Sequence, residues 1–179
     1  MRKKILVLFF LVLLTACGSS KSGLTTGDLA IMRVNDEKQI VSYGMSRTAA
    51  EKVIGEGEKV GKNRFSYNDG IRIMYRDEKV VGIGIGEDSK NVYITNKELK
   101  IGMLRDEIKE KYGNQNFGEN ESNLDYAYDS VNGKFLNKDE WLKNDYDGTK
   151  VYLISAMFDD NGYAYSIILT DKQMATILQ

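Results

Sequence analysis

The chain of 179 residues contains no histidine, no proline and a single cysteine, Cys17. Without histidine there is no Ser-His-Asp or Cys-His engine and no imidazole metal ligand. One cysteine excludes an intramolecular disulfide, a CxxC redox pair and a thiolate zinc cage. No serine is followed by a lysine three residues on, which removes the Ser-x-x-Lys acylase pattern. The glycine-rich run Gly82-Ile83-Gly84-Ile85-Gly86 has Glu87 where a nucleotide loop needs its third glycine. Glycines in a twisted strand with close backbone approach account for it better. Gly61-Lys62 lacks both the first glycine and the Ser/Thr of a P-loop, and Gly44-Met45-Ser46-Arg47-Thr48 misses the nucleophile elbow. A long hydrophobic run is missing too. Ile5 to Leu14 is apolar, but a helix across a bilayer needs about 20 such residues.

That short run follows Arg2, Lys3 and Lys4, an arrangement typical of a secretory leader. Leu14-Thr15-Ala16-Cys17 then resembles the bacterial lipobox, in which cleavage precedes a diacylglyceryl cysteine. The resemblance implies a lipoprotein signal peptide over residues 1–16 and acylation of Cys17, with membrane anchoring on the extracytoplasmic side. Several acyl chains hold a protein at a bilayer far better than one, since each buried methylene contributes about 0.8 kcal/mol. Residues 17–28, rich in Gly, Ser and Thr, read as the lipidated cysteine and a flexible tether. Loss of Arg2, Lys3 and Lys4 from 25 basic residues leaves 22 against 26 acidic ones, a formal charge of −4. A nucleic-acid partner is disfavoured on that ground.

Within residues 29–179 the chain resembles itself. Gly44-Met45-Ser46-Arg47 opens a segment ending at Gly55, and Gly102-Met103-Leu104-Arg105 opens one ending at Gly113. Ala49, Ala50, Val53 and Ile54 form one helical stripe, and Leu104, Ile108 and Tyr112 form another. Ser46 is an N-cap, and Gly55 and Gly113 stand where left-handed caps are expected. Ile40 to Tyr43 and Leu99 to Ile101 precede them as predicted strands. After each helix comes a predicted hairpin. Ile71, Ile73 and Tyr75 alternate with Arg72, Met74 and Arg76 and return beyond Asp77-Glu78. Val151 to Phe158 returns beyond Asn161-Gly162, a pair that predicts a type I′ turn. Asp69-Gly70 and Asp147-Gly148 lead the two hairpins.

This succession of strand, Gly-Met-x-Arg, short helix, Gly and Asp-Gly-led hairpin resembles the SmpA/OmlA (BamE-like) lipoprotein domain. In tandem it resembles the β-lactamase inhibitor proteins. The resemblance implies an α+β domain of two α-β-β repeats, at about 38–95 and 96–170, with short helices on one face of a shared antiparallel sheet. It further implies that the open face binds another protein. The chain lacks the proline often found after each glycine, and the insertion 114–146 is its own; no inhibitor loop can be matched.

The segment Asn114 to Gly148 holds eight acids (Glu119, Glu121, Asp125, Asp129, Asp139, Glu140, Asp145, Asp147) against Lys134, Lys138 and Lys143. An oxygen-ligand cation site or a glycosidase acid pair would use such groups. The spacing fits neither, and a solvated acidic loop is the simpler reading. The large aromatics divide between core and binding surface. Tyr126, Tyr128, Trp141, Tyr146, Tyr152, Tyr163 and Tyr165 are the candidate partner-binding residues. The sequence thus points to a non-catalytic, protein-binding lipoprotein of the envelope, with no cofactor and no metal, partnered by the membrane through Cys17 and by an envelope protein. A carboxylate- or cation-dependent envelope hydrolase and an accessory sensor lipoprotein remain the alternatives.

Overall fold

The computed structural model describes residues 23–143 and 145–177; Cys17 and the leader lie outside the described residues. A three-stranded antiparallel sheet is built from β1 (Ala30–Arg33), β2 (Asp36–Ser42) and β7 (Tyr93–Thr95), in the order β2-β1-β7. The main sheet has nine strands. Its first half is the meander β3 (Glu58–Lys59), β4 (Arg64–Ser66), β5 (Ile71–Arg76), β6 (Lys79–Ile85). The second half runs through β8 (Gly118–Glu119), β9 (Asn123–Asp129), β10 (Lys134–Phe135), β11 (Val151–Phe158) and β12 (Ala164–Asp171). The strand order is β10-β9-β11-β12-β6-β5-β4-β3, with β8 beside β9 at the same edge as β10.

Among the described residues, four short α-helices accompany these sheets: α1 (Arg47–Ile54), α2 (Arg105–Tyr112), α3 (Lys138–Trp141) and α4 (Lys172–Ala175). The Ser46 hydroxyl accepts the Ala49 N–H at 3.2 Å to start α1, and Gly55, at φ +86°, ends it. For α2 the Glu107 carboxylate accepts the Leu104 N–H at 2.7 Å, and Gly113 ends the helix at φ +89°. Leu104 therefore lies at the cap, largely exposed, and only Ile108 and Tyr112 of its predicted stripe are buried. No helix among the described residues is long and apolar enough to cross a membrane.

The pleat sorts the main sheet into two faces. Phe65, Ile73, Ile83, Leu169, Ile154 and Tyr126 stand side by side across six strands. They share one cluster with Ala50 of α1, Ile108 and Tyr112 of α2, Leu29 just before β1, and Ile31 and Val41 of the small sheet. Contrary to expectation, the helices do not all lie on that face. Leu136, Trp141 and Ala175, from around α3 and in α4, cover Ala127, Val151 and Leu153 on the other face. Met174 covers Met74 and Val81 there.

Other expectations give way to the structure. The acidic insertion is no solvated loop through its length, because Asn123–Asp129 alternates polar and apolar residues and becomes an interior strand. Leu99 to Ile101 is not a strand; the pairing before α2 is made by Tyr93–Thr95. The type I′ turn sits at Asp77-Glu78, with φ of +51° and +55°. At the other hairpin only Gly162 has positive φ, because the Asp159 carboxylate takes the N–H groups of Asn161 and Tyr163 and sets a longer loop. The predicted tether also stops early. Leu24 is only 2% exposed and belongs to the main core, and Gly23 crosses the Tyr128 ring so closely that a Cβ would overlap its hydroxyl.

Candidate functional site

The uncovered part of the outer face runs across the middle of the main sheet. One register row reads Ser66, Arg72, Gly84, Ile168, Ser155, Asp125. Gly84 contributes no side chain, so Arg72, Met157 and Ile168 stand around a cleft of about 310 Å³, with Val60 and Arg64 at its β3–β4 rim. A Cβ at Gly84 would meet nothing nearer than Arg72 Cβ at 3.7 Å, whereas one at Gly82 would strike Met74 Cε at 2.4 Å. The Gly-Ile-Gly strand thus does two things. Gly82 admits the covering Met74, and Gly84 leaves the adjacent position open.

Arg64 and Arg72 are exposed here, and neither joins a salt bridge among the described residues. They leave two cationic groups beside apolar carbon, an arrangement that accepts an apolar side chain next to a carboxylate. Asp125 closes the row on the opposite side. Burial pushes its pKa above the ordinary aspartate value, although its carboxylate takes the Ser155 hydroxyl.

The candidate aromatics separate. Tyr165 is 39% exposed at the bulge of β12, its hydroxyl near Met157 Sδ at 3.8 Å, and so borders this face. Tyr163 is 47% exposed and forms an isolated bridge with Leu104 beside the hairpin loop. Tyr128 is half-buried under Gly23, and Tyr146 is half-buried near Lys172. Tyr126, Trp141 and Tyr152 are core residues, which removes them from any docking surface. The Tyr126 hydroxyl donates to the Gly113 carbonyl at 2.6 Å, and Trp141 stacks on Phe117 at 4.6 Å between ring centroids. Tyr152 packs against Tyr43. Each of these rings carries a large apolar area, and its removal from water favours the interior.

The carboxylates of the insertion go to separate local tasks. Glu119 is held below the usual range by Lys109, 2.5 Å away. Glu140 caps α3 and pairs with Lys134, while Asp147 caps the 3-10 turn Gly148–Lys150. Burial favours the neutral form of Asp129, but hydrogen bonds from Asn132 and from the Val131 N–H outweigh it and hold this group low. Among the described residues no three Asp, Glu or Cys side chains converge as a metal-holding group.

The polar knot that matters for the fold is elsewhere. Asp171, wholly buried, accepts from Tyr43 at 2.6 Å, from Arg76 at 2.6 and 3.3 Å, and from the Met174 N–H at 2.7 Å. Burial, reinforced by the Asp171 carboxylate, raises the Tyr43 phenol well above its ordinary value. Lys172, next in sequence, donates to the carbonyls of Trp141 and Lys143 at 2.6 and 2.5 Å, and burial lowers its pKa. These contacts fasten α4 and α3 over one end of the outer face and leave the other end open.

Sequence reasoning passed over Arg64, Met157 and Ile168 as site residues. Arg72 carried a usable signal, since it alternates with Ile71 and Ile73 opposite a strand of glycines. Comparison with protein-family models, with curated proteins and with solved structures finds no match to this chain.

Proposed function

We propose that the chain is a lipoprotein anchored through Cys17 at the extracytoplasmic side of the cell membrane, and that it acts as a non-catalytic module binding an envelope protein. The observation that carries the binding role is the open outer face, where Arg64, Arg72, Met157 and Ile168 surround the space left by Gly84 and Tyr165 borders it through Met157. Its chemistry fits a partner segment with an apolar side chain beside an acidic one. The lipobox supports the anchor.

The face belongs, in this reading, to two related halves. The Gly44 N–H donates to Val80 O at 2.7 Å, and the Val80 N–H donates to Met45 O. In the same way the Gly102 N–H donates to Ala164 O, also at 2.7 Å, and the Ala164 N–H to Met103 O. Val80 and Ala164 are 84 residues apart (164−80), and so are the directly paired Gly84 and Ile168 (168−84) of the central ladder. A duplication with its two-fold axis through that pair, between β6 and β12, would produce both facts. Each half is then a helix followed by four strands, β3–β6 in the first and β8, β9, β11 and β12 in the second, where β10 and α3 are inserted; this is larger than an α-β-β unit.

A photo-crosslinking side chain tests the face in the intact envelope. Placed at Arg72 or Ser166, it should yield a discrete protein adduct, and placed at Lys38 on the small sheet it should not. No adduct from either face position would refute this assignment, and Arg64→Glu/Arg72→Glu should abolish the adduct from Ser166.

A further inference from the structure

Taking the proposed acylation of Cys17 as its premise, we infer that the sheet edge formed by β10, with the adjoining turn and α3, lies against the membrane, while the β3 edge and its arginines point away from it. The structural basis is the position of the first described residues. Gly23 lies over Tyr128 and shares a cleft of about 430 Å³ with Gly133, Lys134, Phe135 and Asn116, at the β9–β10 edge. Leu24, buried in the core, fixes that point of departure.

From Cys17 to Gly23 is six residue steps. Whatever their conformation, they reach at most about 22 Å, since each step spans about 3.3–3.6 Å. A domain of this length has a radius of gyration of about 15 Å and so a diameter near ~40 Å. The leash is half the width of what it holds. The opposite edge, β3, is seven ladder steps from β10, about 34 Å along the sheet at ~4.8 Å per step. Standing the domain on that edge would lift Gly23 about 34 Å from the lipid, farther than the leash reaches.

Side chains at the near edge suit that position. Val131, in the β9–β10 turn, is 73% exposed and Leu142, after α3, is 67% exposed. Residues 130–150 carry four lysines against four acids, so charge does not repel this edge from an anionic leaflet. The acidic corner with Glu119, Glu121, Asp159 and Asp160 gathers around Arg105 at the other end of the strands, where the Phe158 N–H donates to Ser122 O. That corner is offset from the β9–β10 turn by about five residues, or ~17 Å, along β9, although β8 holds Glu119 at the same sheet edge as β10. The orientation presents the cleft of Arg64 and Arg72 to a partner approaching from the side or from above.

The test uses the acylated full chain in vesicles of phosphatidylethanolamine and phosphatidylglycerol bearing a headgroup quencher. Acylation consumes the Cys17 sulfur, so a single introduced thiol takes a fluorophore, at Val131→Cys or at Lys59→Cys on β3. Quenching at position 131 should exceed that at 59 by about twofold or more, given the separation along the sheet. Insertion of thirty Gly/Ser residues after Ser20 should erase the difference while the protein still floats with the vesicles. Equal quenching at the two positions of the floating parent chain overturns the orientation and leaves the anchor standing. Flotation of Cys17→Ser to the same extent overturns the anchor, and the orientation with it.

Discussion

Replacing Asp171 by alanine strikes the fold at its most heavily bonded buried charge. The carboxylate is inaccessible to water, whereas the Arg76 side chain it pairs with is 24% exposed. Removing one partner of a buried pair costs about 3–5 kcal/mol, because the remaining charge is left uncompensated. The N-cap of α4 is lost in the same step, at about 1 kcal/mol, and the Tyr43 hydroxyl loses its acceptor. These losses overlap, and water recovers part of the Arg76 charge, so about 3 kcal/mol is the working figure. Domains are stable by only about 5–15 kcal/mol, which makes this a large fraction. With a urea slope of about 2 kcal/mol per molar, the unfolding midpoint should fall by about 1.5 M. Asp171→Asn keeps the shape and the acceptor for the Met174 N–H and should lose less, about 2 kcal/mol. Asp36→Asn on the exposed β2 should change the midpoint little. For Asp171→Ala, a fall smaller than about 0.5 M would refute the argument that this group holds α4 to the sheet.

Two neighbouring tyrosines should respond in opposite directions to loss of a hydroxyl. Tyr126→Phe strands the buried Gly113 carbonyl and should cost about 1–3 kcal/mol. The Tyr112 hydroxyl is buried with no partner among the described residues, so Tyr112→Phe should be neutral or stabilising by up to about 1 kcal/mol; urea unfolding reads both. Asp129 binds its proton less readily folded than unfolded, so its contribution is present above pH ~4 and is lost as pH falls through the lower folded value. Asp129→Asn should therefore flatten the acid limb of stability against pH, measured by urea midpoints between about pH 5 and 2. Gly84→Ala should leave stability within about 0.5–1 kcal/mol, since only ordinary contacts await the methyl and glycine in a strand carries an entropic cost. Gly84→Trp should fold but block the cleft, lowering adduct yield from a crosslinker at Ser166.

Particular residues explain how much was legible beforehand. Ser46, Gly55 and Gly113 mark helix ends by local rules, since caps and positive-φ positions depend on a few adjacent atoms. Leu104 sits at the cap rather than in the apolar stripe because the Glu107 carboxylate takes its N–H, a contact that its residue type does not signal. The two long hairpins were legible for a local reason as well, because side chains alternate along each strand with period two. The turn types were not. Asn161-Gly162 has the composition of a type I′ turn, but the Asp159 carboxylate captures two backbone N–H groups and selects another loop. Of the candidate surface, Tyr163 and Tyr165 are exposed, whereas Tyr126, Trp141 and Tyr152 are buried. Residue type alone cannot separate them, since a ring serves a core and an interface by the same loss of water contact.

The order of amino acids was enough for the local features: the leader-like N-terminus with Cys17, the two capped helices, the hairpin strands, and the lack of any histidine or second thiol for chemistry. Each depends on neighbours within a few residues. Tertiary packing was needed to make Asn123–Asp129 an interior strand, to bring Asp171 to Arg76 across 95 residues, and to lay α3 and α4 over one end of the outer face. The same packing draws Leu24 into the core, only seven residues after Cys17. Such pairings are set by which apolar surfaces can be buried together, a property of the whole chain rather than of any window along it.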